Sequence, residues 1–496
     1  MTPHFRPGRA GGAVSLDIAA ARPGDLFLKT IIHVLALCTA LLPIGAAGAA
    51  EPAASVPRSA GKNYAAGALP DRIVLTPGAD PTQAMAVSFR TDLRQPGAEA
   101  QIVEAVDSPT LDRNARALSG TNTKADTSSG AAIYHHVDFT GLKPDTVYAY
   151  RLKGAGGWSE WLQFRTASKA FRPFRALYLA DVQNGILPYA SRVIRQAFHA
   201  GGDIDLVVHT GDQVAQRDDL DHDDEWGEWN EAGGYNYAIV PQLPAAGNHE
   251  YIEHELPDGS EQKHLGLYWD RQFKLPGNGV PGLEATTYFV DYQGVRFVVL
   301  DGTAAADMGK VAEQTLWLDK TLAASKARWN VVVVHHPIFT CARPADISAI
   351  QDAWKPVIEK RKVDLVLQGH DHCCSRVTNP AGRAAADAAH AENRPQGPVY
   401  VVSVVGSKMY GLNDRARTQP DKAAADTQLY QLIDFGETAL RYRAYTATGR
   451  LYDAFDLTRA STGGNRFSVP DAATVPARFC EGTLGPDGAA CLGRAK

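Results

Sequence analysis

The chain carries no block of lysines or arginines, and its 50 cations against 55 carboxylates leave a formal net charge of −5. A mildly acidic chain without a basic stripe argues against nucleic acid or an anionic lipid surface as an electrostatic partner. No internal repeat is present, so a repeat architecture is excluded. Cysteine is scarce, with six residues in 496, too few for the fold to depend on a disulfide framework. The apolar run Thr30 to Leu42 is stopped by Pro43 and is too short for a resident membrane helix.

That run has another reading. Lys29 precedes it and the small residues Gly45–Ala46–Ala47–Gly48–Ala49–Ala50 follow it, the pattern of a secretory signal over residues 1–50. Cleavage is expected after Ala49 or Ala50, and the unusually long charged region places the expected true start downstream of Met1. A periplasmic or secreted protein follows, with no membrane span left after cleavage. The mature charge becomes about −7, because residues 1–49 hold four cations and two anions. Export permits disulfides. Cys38 leaves with the signal, while Cys480 and Cys491 flank a Gly/Pro loop suited to a tail bridge. Cys341, Cys373 and Cys374 are expected to meet near one another, and three thiols cannot all pair.

Apolar residues make up 45% of the chain, enough for a large core and two domains. Residues 51–69 are Ala/Pro/Ser-rich and read as a linker. From residue 70 to about 168, short alternating runs such as Ala84 to Arg90 and Val147 to Leu152 lie between turn-rich gaps, as in a small antiparallel β-sandwich. Within it, Leu142–Lys143–Pro144–Asp145–Thr146–Val147–Tyr148 resembles the turn and tyrosine of a fibronectin type III domain. His135 and His136 are adjacent on one strand, point to opposite faces, and read as structural. From residue 172 to 455 the texture is strand, loop, helix, with amphipathic crossovers at Ser191 to His199 and Ala312 to Lys326. Asp218 to Glu231 reads as a solvated acidic face and Gly382 to Asn393 as an exposed loop. Tyr235, Tyr237, Tyr251 and Trp269 read as core, and residues 456–496 as a C-terminal tail of turns.

Five buried-strand patterns end on polar residues. Ala176 to Ala180 runs into Asp181, Ile204 to Val208 into His209–Thr210–Gly211–Asp212, and Pro244 to Ala246 into Gly247–Asn248–His249–Glu250. Val331 to Val334 runs into His335–His336–Pro337, and Asp364 to Gln368 into Gly369–His370–Asp371–His372. Ligands of open α/β sheets bind beyond the carboxyl ends of strands. Asp181, Asp212, Asn248, His335, His370 and His372 are separated by 31, 36, 87, 35 and 2 residues. Each motif alone is weak, but together they offer the imidazole nitrogens and carboxylate or amide oxygens that hold first-row divalent metals. Two such ions clamp the attacking and leaving oxygens of a phosphoryl displacement.

This set resembles the signature of the calcineurin-like metallophosphoesterases, and the preceding sandwich makes it similar to their purple-acid-phosphatase-like branch. The resemblance spans about residues 70–455. It implies a four-layer α/β (α+β) sandwich of two mixed sheets flanked by helices, preceded by the all-β fibronectin III-like sandwich. It also implies one metal on Asp181, Asp212 and His372, and a second on bridging Asp212, Asn248, His335 and His370. Zn, Mn and Fe stay open as the pair. The implied activity is hydrolysis of a small-molecule phosphomonoester, with Asp212 and His249 catalytic, His249 protonating the leaving oxygen and Glu250 or another carboxylate orienting it. A phosphodiesterase or nucleotide hydrolase is the alternative of the same fold, and an adhesion protein with a degenerate hydrolase domain the alternative of another class. Two positions depart from the pattern. Ala215 stands where purple acid phosphatases carry a ligating Tyr, and Gln183 where the wider superfamily has His. Gln183 is open between ligand and neighbour, and His336 between phosphate contact and packing. Lys408 and Tyr410 are candidates for the pocket rim.

Overall fold

The computed structural model describes residues 64–215, 222–378, 397–460, 464–470 and 476–479. The signal, most of the linker, the expected loop from Gly382 to Asn393 and the pair Cys480/Cys491 lie outside the described residues.

Two seven-stranded mixed sheets face each other. In the first, Gln242–Pro244, Leu206–His209 and Phe174–Leu179 run parallel, and Leu429–Phe435, Ala439–Thr446, Leu451–Arg459 and Asn465–Ser468 continue it antiparallel. In the second, Val295–Leu300, Trp329–Val334, Leu365–Gln368 and Val399–Val402 form a parallel centre. Strand alternation sorts the side chains into layers. Phe174, Ala176 and Tyr178 enter the core between the sheets with Val331 and Val333. Leu177 and Leu179 pack outward against the helix Ser191–Gly201, whereas Val332 and Val334 pack against the helices Val311–Ala323 and Ser348–Lys360. The result is helix, sheet, sheet, helix. Continuous valine runs suit it because both strand faces are covered.

Before these sheets, a four-stranded and a five-stranded antiparallel sheet pack face to face around Val87, Phe89, Val137, Phe139, Tyr150 and Phe164. The Tyr148 hydroxyl accepts a hydrogen bond from Lys143 N at 2.9 Å, closing the turn from its own strand. His135 is fully buried against Phe89, its Nε2 2.8 Å from Thr91 Oγ1.

Three expectations are corrected. The acidic stretch is not a solvated face where it is described. Asp223–Gly233 is a helix with Asp223, Trp226 and Trp229 buried. Asp223 receives Arg72 Nη1 and Nη2 at 2.8 Å each, Arg90 Nη1 at 3.2 Å and the Tyr134 hydroxyl at 3.0 Å. Partners 89 to 151 residues away neutralise it, which sequence spacing cannot reveal. The expected tail also contributes sheet structure, since one strand runs on to Arg459 and Asn465–Ser468 adds an edge strand. Of the aromatics read as core, Tyr237, Tyr251 and Trp269 are buried, but Tyr235 is exposed.

Candidate metal centre

Five of these parallel strands deliver their polar tips to the same place. Asp181 lies two residues past Leu179, Asp212 three past His209, Asn248 four past Pro244, His335 directly after Val334, and His370 two past Gln368. The chain must turn sharply there. Asp181, Asp212, His370 and His372 have φ of +47°, +53°, +73° and +48°, a left-handed backbone that residues with a Cβ rarely adopt. Such strain gathers where surrounding structure imposes it for function.

Ligand atoms converge in two groups, Asp212 with His335 and His370, and Asp181 with Asp212 and His372. Asp212 belongs to both. His335 Nε2 lies 3.2 Å from Asp212 Oδ2 and 3.2 Å from Asn248 Oδ1. His370 Nδ1 lies 2.9 Å from Asn248 Oδ1 and 3.1 Å from His335 Nε2. His372 Nε2 lies 3.6 Å from Asp181 Oδ1. All six residues expected to bind metal therefore meet.

The backbone is cut to fit them. A Cβ on Gly247 would stand 2.2 Å from Asp212 Oδ1, and one on Gly369 2.3 Å from Asp181 Oδ2. His335 Nδ1 pairs with the Thr210 carbonyl at 2.8 Å and His372 Nδ1 with the Lys408 carbonyl at 2.9 Å. Each ring thus presents Nε2 inward, as metal-ligating histidines do. The Glu250 carboxylate accepts Asp212 N at 2.9 Å, Gln213 N at 2.8 Å and Gly247 N at 2.7 Å. Its observed contacts clamp the Asp212 and Asn248 turns. The contact seen on His249 Nδ1 is instead the Ala215 carbonyl, while His249 N donates to Asp212 Oδ1 at 2.9 Å.

The electrostatics fit a cation pair. Burial raises the Asp181 carboxyl, and the neighbouring Asp212 charge adds to this against the pull of His335. Burial opposes ionisation of Asp212 as well, but His335 and His249 outweigh it and hold that carboxyl well below its ordinary range. His370 and His372 are pushed well below the ordinary imidazole value, chiefly by burial, which keeps them neutral with a lone pair to give. Two buried carboxylates, an amide oxygen and three imidazoles suit first-row divalent ions.

Around this shell, the His336 ring is buried against His370, with centroids 4.2 Å apart. Tyr410 contacts the His372 ring at 5.0 Å, with Lys408 and Arg343 over its face at 5.5 and 5.6 Å. Gln183 reaches into the ligand shell. Sequence reading gave no role to Asp371, which lies between two ligands. It accepts Cys341 N, Ala342 N at 3.0 Å and Arg343 Nη1 at 2.6 Å, tying the loop after His335 to the turn that carries His370 and His372. Cys341 and Cys373 form a disulfide across the same two loops, and Cys374 is the buried free thiol. The adjacency of Cys373 to His372 was the available signal.

Residues 174–374 match the model of the calcineurin-like phosphoesterases and residues 70–166 that of the purple acid phosphatase N-terminal domain. An uncharacterized protein of Mycobacterium tuberculosis is 27% identical over 53% of this chain and 54% of its own length. Purple acid phosphatase 15 of Arabidopsis thaliana is 27% identical over 55% of this chain and 53% of its own. The chain thus spans about half the length of these curated relatives. Among solved structures, purple acid phosphatase PPD1 from yellow lupin (Lupinus luteus) seeds superposes with a TM-score of 0.61 at 17% identity, covering 79% of this chain and 75% of that one. PhoD gives 0.56 at 13% identity, covering 83% and 94%. Both show the fold.

Proposed function

Since the chain carries a calcineurin-like phosphoesterase domain behind a purple acid phosphatase N-terminal domain, we propose that it is an exported phosphohydrolase, periplasmic or secreted. It would use two metal ions to cleave phosphomonoesters. The observation that carries this reading is the sharing of Asp212 between two buried ligand groups. One carboxylate common to both is what a dinuclear centre needs.

When bound, a pair of divalent ions neutralises charge on the phosphoryl oxygens and acidifies a water. Asp181, Asp212 and His372 would hold one ion, and Asp212, Asn248, His335 and His370 the other. The protein supplies the rest. Glu250 fixes the two turns that carry Asp212 and Asn248. The Ala215 carbonyl accepts a hydrogen bond from His249 Nδ1, and Nε2 of the doubly protonated ring would be the atom that gives a proton to the departing oxygen. His336 backs the His370 ring, Lys408 sets positive charge beside His372, and Arg343 sets it beside His370 and His336.

The test is elemental analysis alongside hydrolysis of an aryl phosphomonoester and an aryl phosphodiester. About two metals per chain, with monoester turnover lost in Asp212→Ala and His335→Ala, is the expected result. Diester turnover alone would move the assignment to a phosphodiesterase. A metal-free protein inert after addition of Zn, Mn or Fe would overturn the proposal.

A further inference from the structure

Gln183 is fully buried, and its amide lies inside the ligand shell. Nε2 sits 2.8 Å from Asp212 Oδ2 and 3.0 Å from His372 Nε2, two atoms of the same candidate metal group. Ligands at right angles around a first-row ion, each bonded at roughly 2.0–2.2 Å, lie about 3 Å apart. The tip of Gln183 thus stands at a distance from both residues that fits a shared ion as well as it fits a hydrogen bond. The other amide atom, Oε1, is buried with no partner among the described residues.

With these observations, and resting on the dinuclear reading above, we propose that the Gln183 side-chain oxygen is a direct ligand of the ion held by Asp181, Asp212 and His372. In the arrangement described, the NH2 group points its hydrogens at Asp212 and His372. A cation between those two residues would repel those hydrogens. A half-turn about the last side-chain bond exchanges oxygen and nitrogen. One buried amide atom lacks a partner either way, so the orphan does not distinguish the two settings, while an oxygen facing a cation gains an ion–dipole contact. The segment is held for this role. Gln183 N bonds the Asp212 carbonyl at 3.1 Å and Gly406 N the Asp181 carbonyl at 2.8 Å. A Cβ on Gly406 would meet the carbonyl oxygens of Asp181 and Gln183 at 2.5 Å each. Turned in this way, the amide supplies a neutral oxygen to the shell. This shell then carries the charge of two carboxylates and suits a divalent ion.

The test is Mn(II) titration followed by electron paramagnetic resonance, with melting curves, on wild type, Gln183→Leu and Gln183→Glu. Leu fills the space without a donor, and Glu restores an oxygen ligand but removes the NH2. Direct ligation predicts two Mn(II) in wild type. It predicts at least a tenfold weaker affinity for one of them in Gln183→Leu, and recovery of both in Gln183→Glu. A hydrogen-bonding role alone predicts no recovery in Gln183→Glu, since a carboxylate beside Asp212 with no ligand role would be repelled. Two wild-type-affinity sites in Gln183→Leu, or loss of a site in Gln183→Glu, would overturn the inference and leave the dinuclear reading standing. Wild type binding no Mn(II) would remove both. If Gln183→Leu does not fold, Gln183→Glu decides alone.

Discussion

Asp223→Asn tests whether the buried charge cluster fastens the β-sandwich to the helix beside the active site. Asp223 is fully buried and receives two bonds from Arg72, one from Arg90 and one from Tyr134. Arg90 keeps Asp71 as a second carboxylate at 2.7 Å, whereas the ion pair shown for Arg72 is with Asp223 alone. Neutralising Asp223 leaves a buried guanidinium uncompensated, and breaking such a pair costs about 3–5 kcal/mol. The amide still accepts one bond, so the lower end applies. About 3 kcal/mol is roughly a 150-fold rise in the opening equilibrium. Native-state hydrogen exchange of the helix Asp223–Gly233 reads this directly, and its amides should lose about two orders of magnitude of protection. Adding Arg72→Met should recover part of the loss, because the orphaned cation goes with it. Less than a tenfold change in Asp223→Asn, or a double variant that loses both single costs in full, would refute the reasoning. The same helix carries Glu225, whose carboxylate accepts Ala215 N at 2.7 Å beside the carbonyl that holds His249. The variant should therefore also lower turnover at saturating substrate.

Replacing Cys341 and Cys373 by Ala opens a 32-residue link between two ligand loops, a loss of about 3–4 kcal/mol on the chain-entropy account. Denaturant midpoint and the rate of metal release to a chelator should both report it, and unchanged release would show that Asp371 alone holds the loops. Gly247→Ala and Gly369→Ala each drive a methyl group into a ligand carboxylate, so metal binding should vanish while far-UV circular dichroism persists. Gly309→Ala, at φ +68° with open space around it, should cost about 1–2 kcal/mol of stability and keep the metal. His209 is held neutral by burial, its value pushed down to about 4, whereas the unfolded chain protonates near 6.5. Its contribution is complete above pH 6.5 and lost as pH falls toward 4, about 2 kcal/mol by pH 5. His135, also lowered to about 4, acts in the same direction. The fall in denaturant midpoint from pH 7 to 5 in wild type against that in His209→Gln isolates the His209 contribution, and equal falls would contradict it.

The valine run Val331 to Val334 was legible because a strand covered on both faces needs no alternation, and its imidazole tip marked the exit. The same logic found the other four strand ends. The acidic helix was misread because its neutralising arginines come from the sandwich, far away in sequence. Glu250 was expected beside the site as one candidate, with another carboxylate, for orienting His249. Its three observed backbone contacts clamp the Asp212 and Asn248 turns. The Asn465–Ser468 strand was too short and polar to show a period, and exists because Leu451–Arg459 offers it an edge.

The sequence by itself determined the two strand textures, the order of the strand ends and the identity of the six residues that meet there, because buried strands and metal donors leave local chemical marks. Tertiary structure decided which of three thiols pair, that Asp371 and Glu250 brace the turns, that the Ala215 carbonyl holds His249, and that Gln183 reaches the ligand shell. Each of those depends on a distance between atoms that sequence separation does not encode.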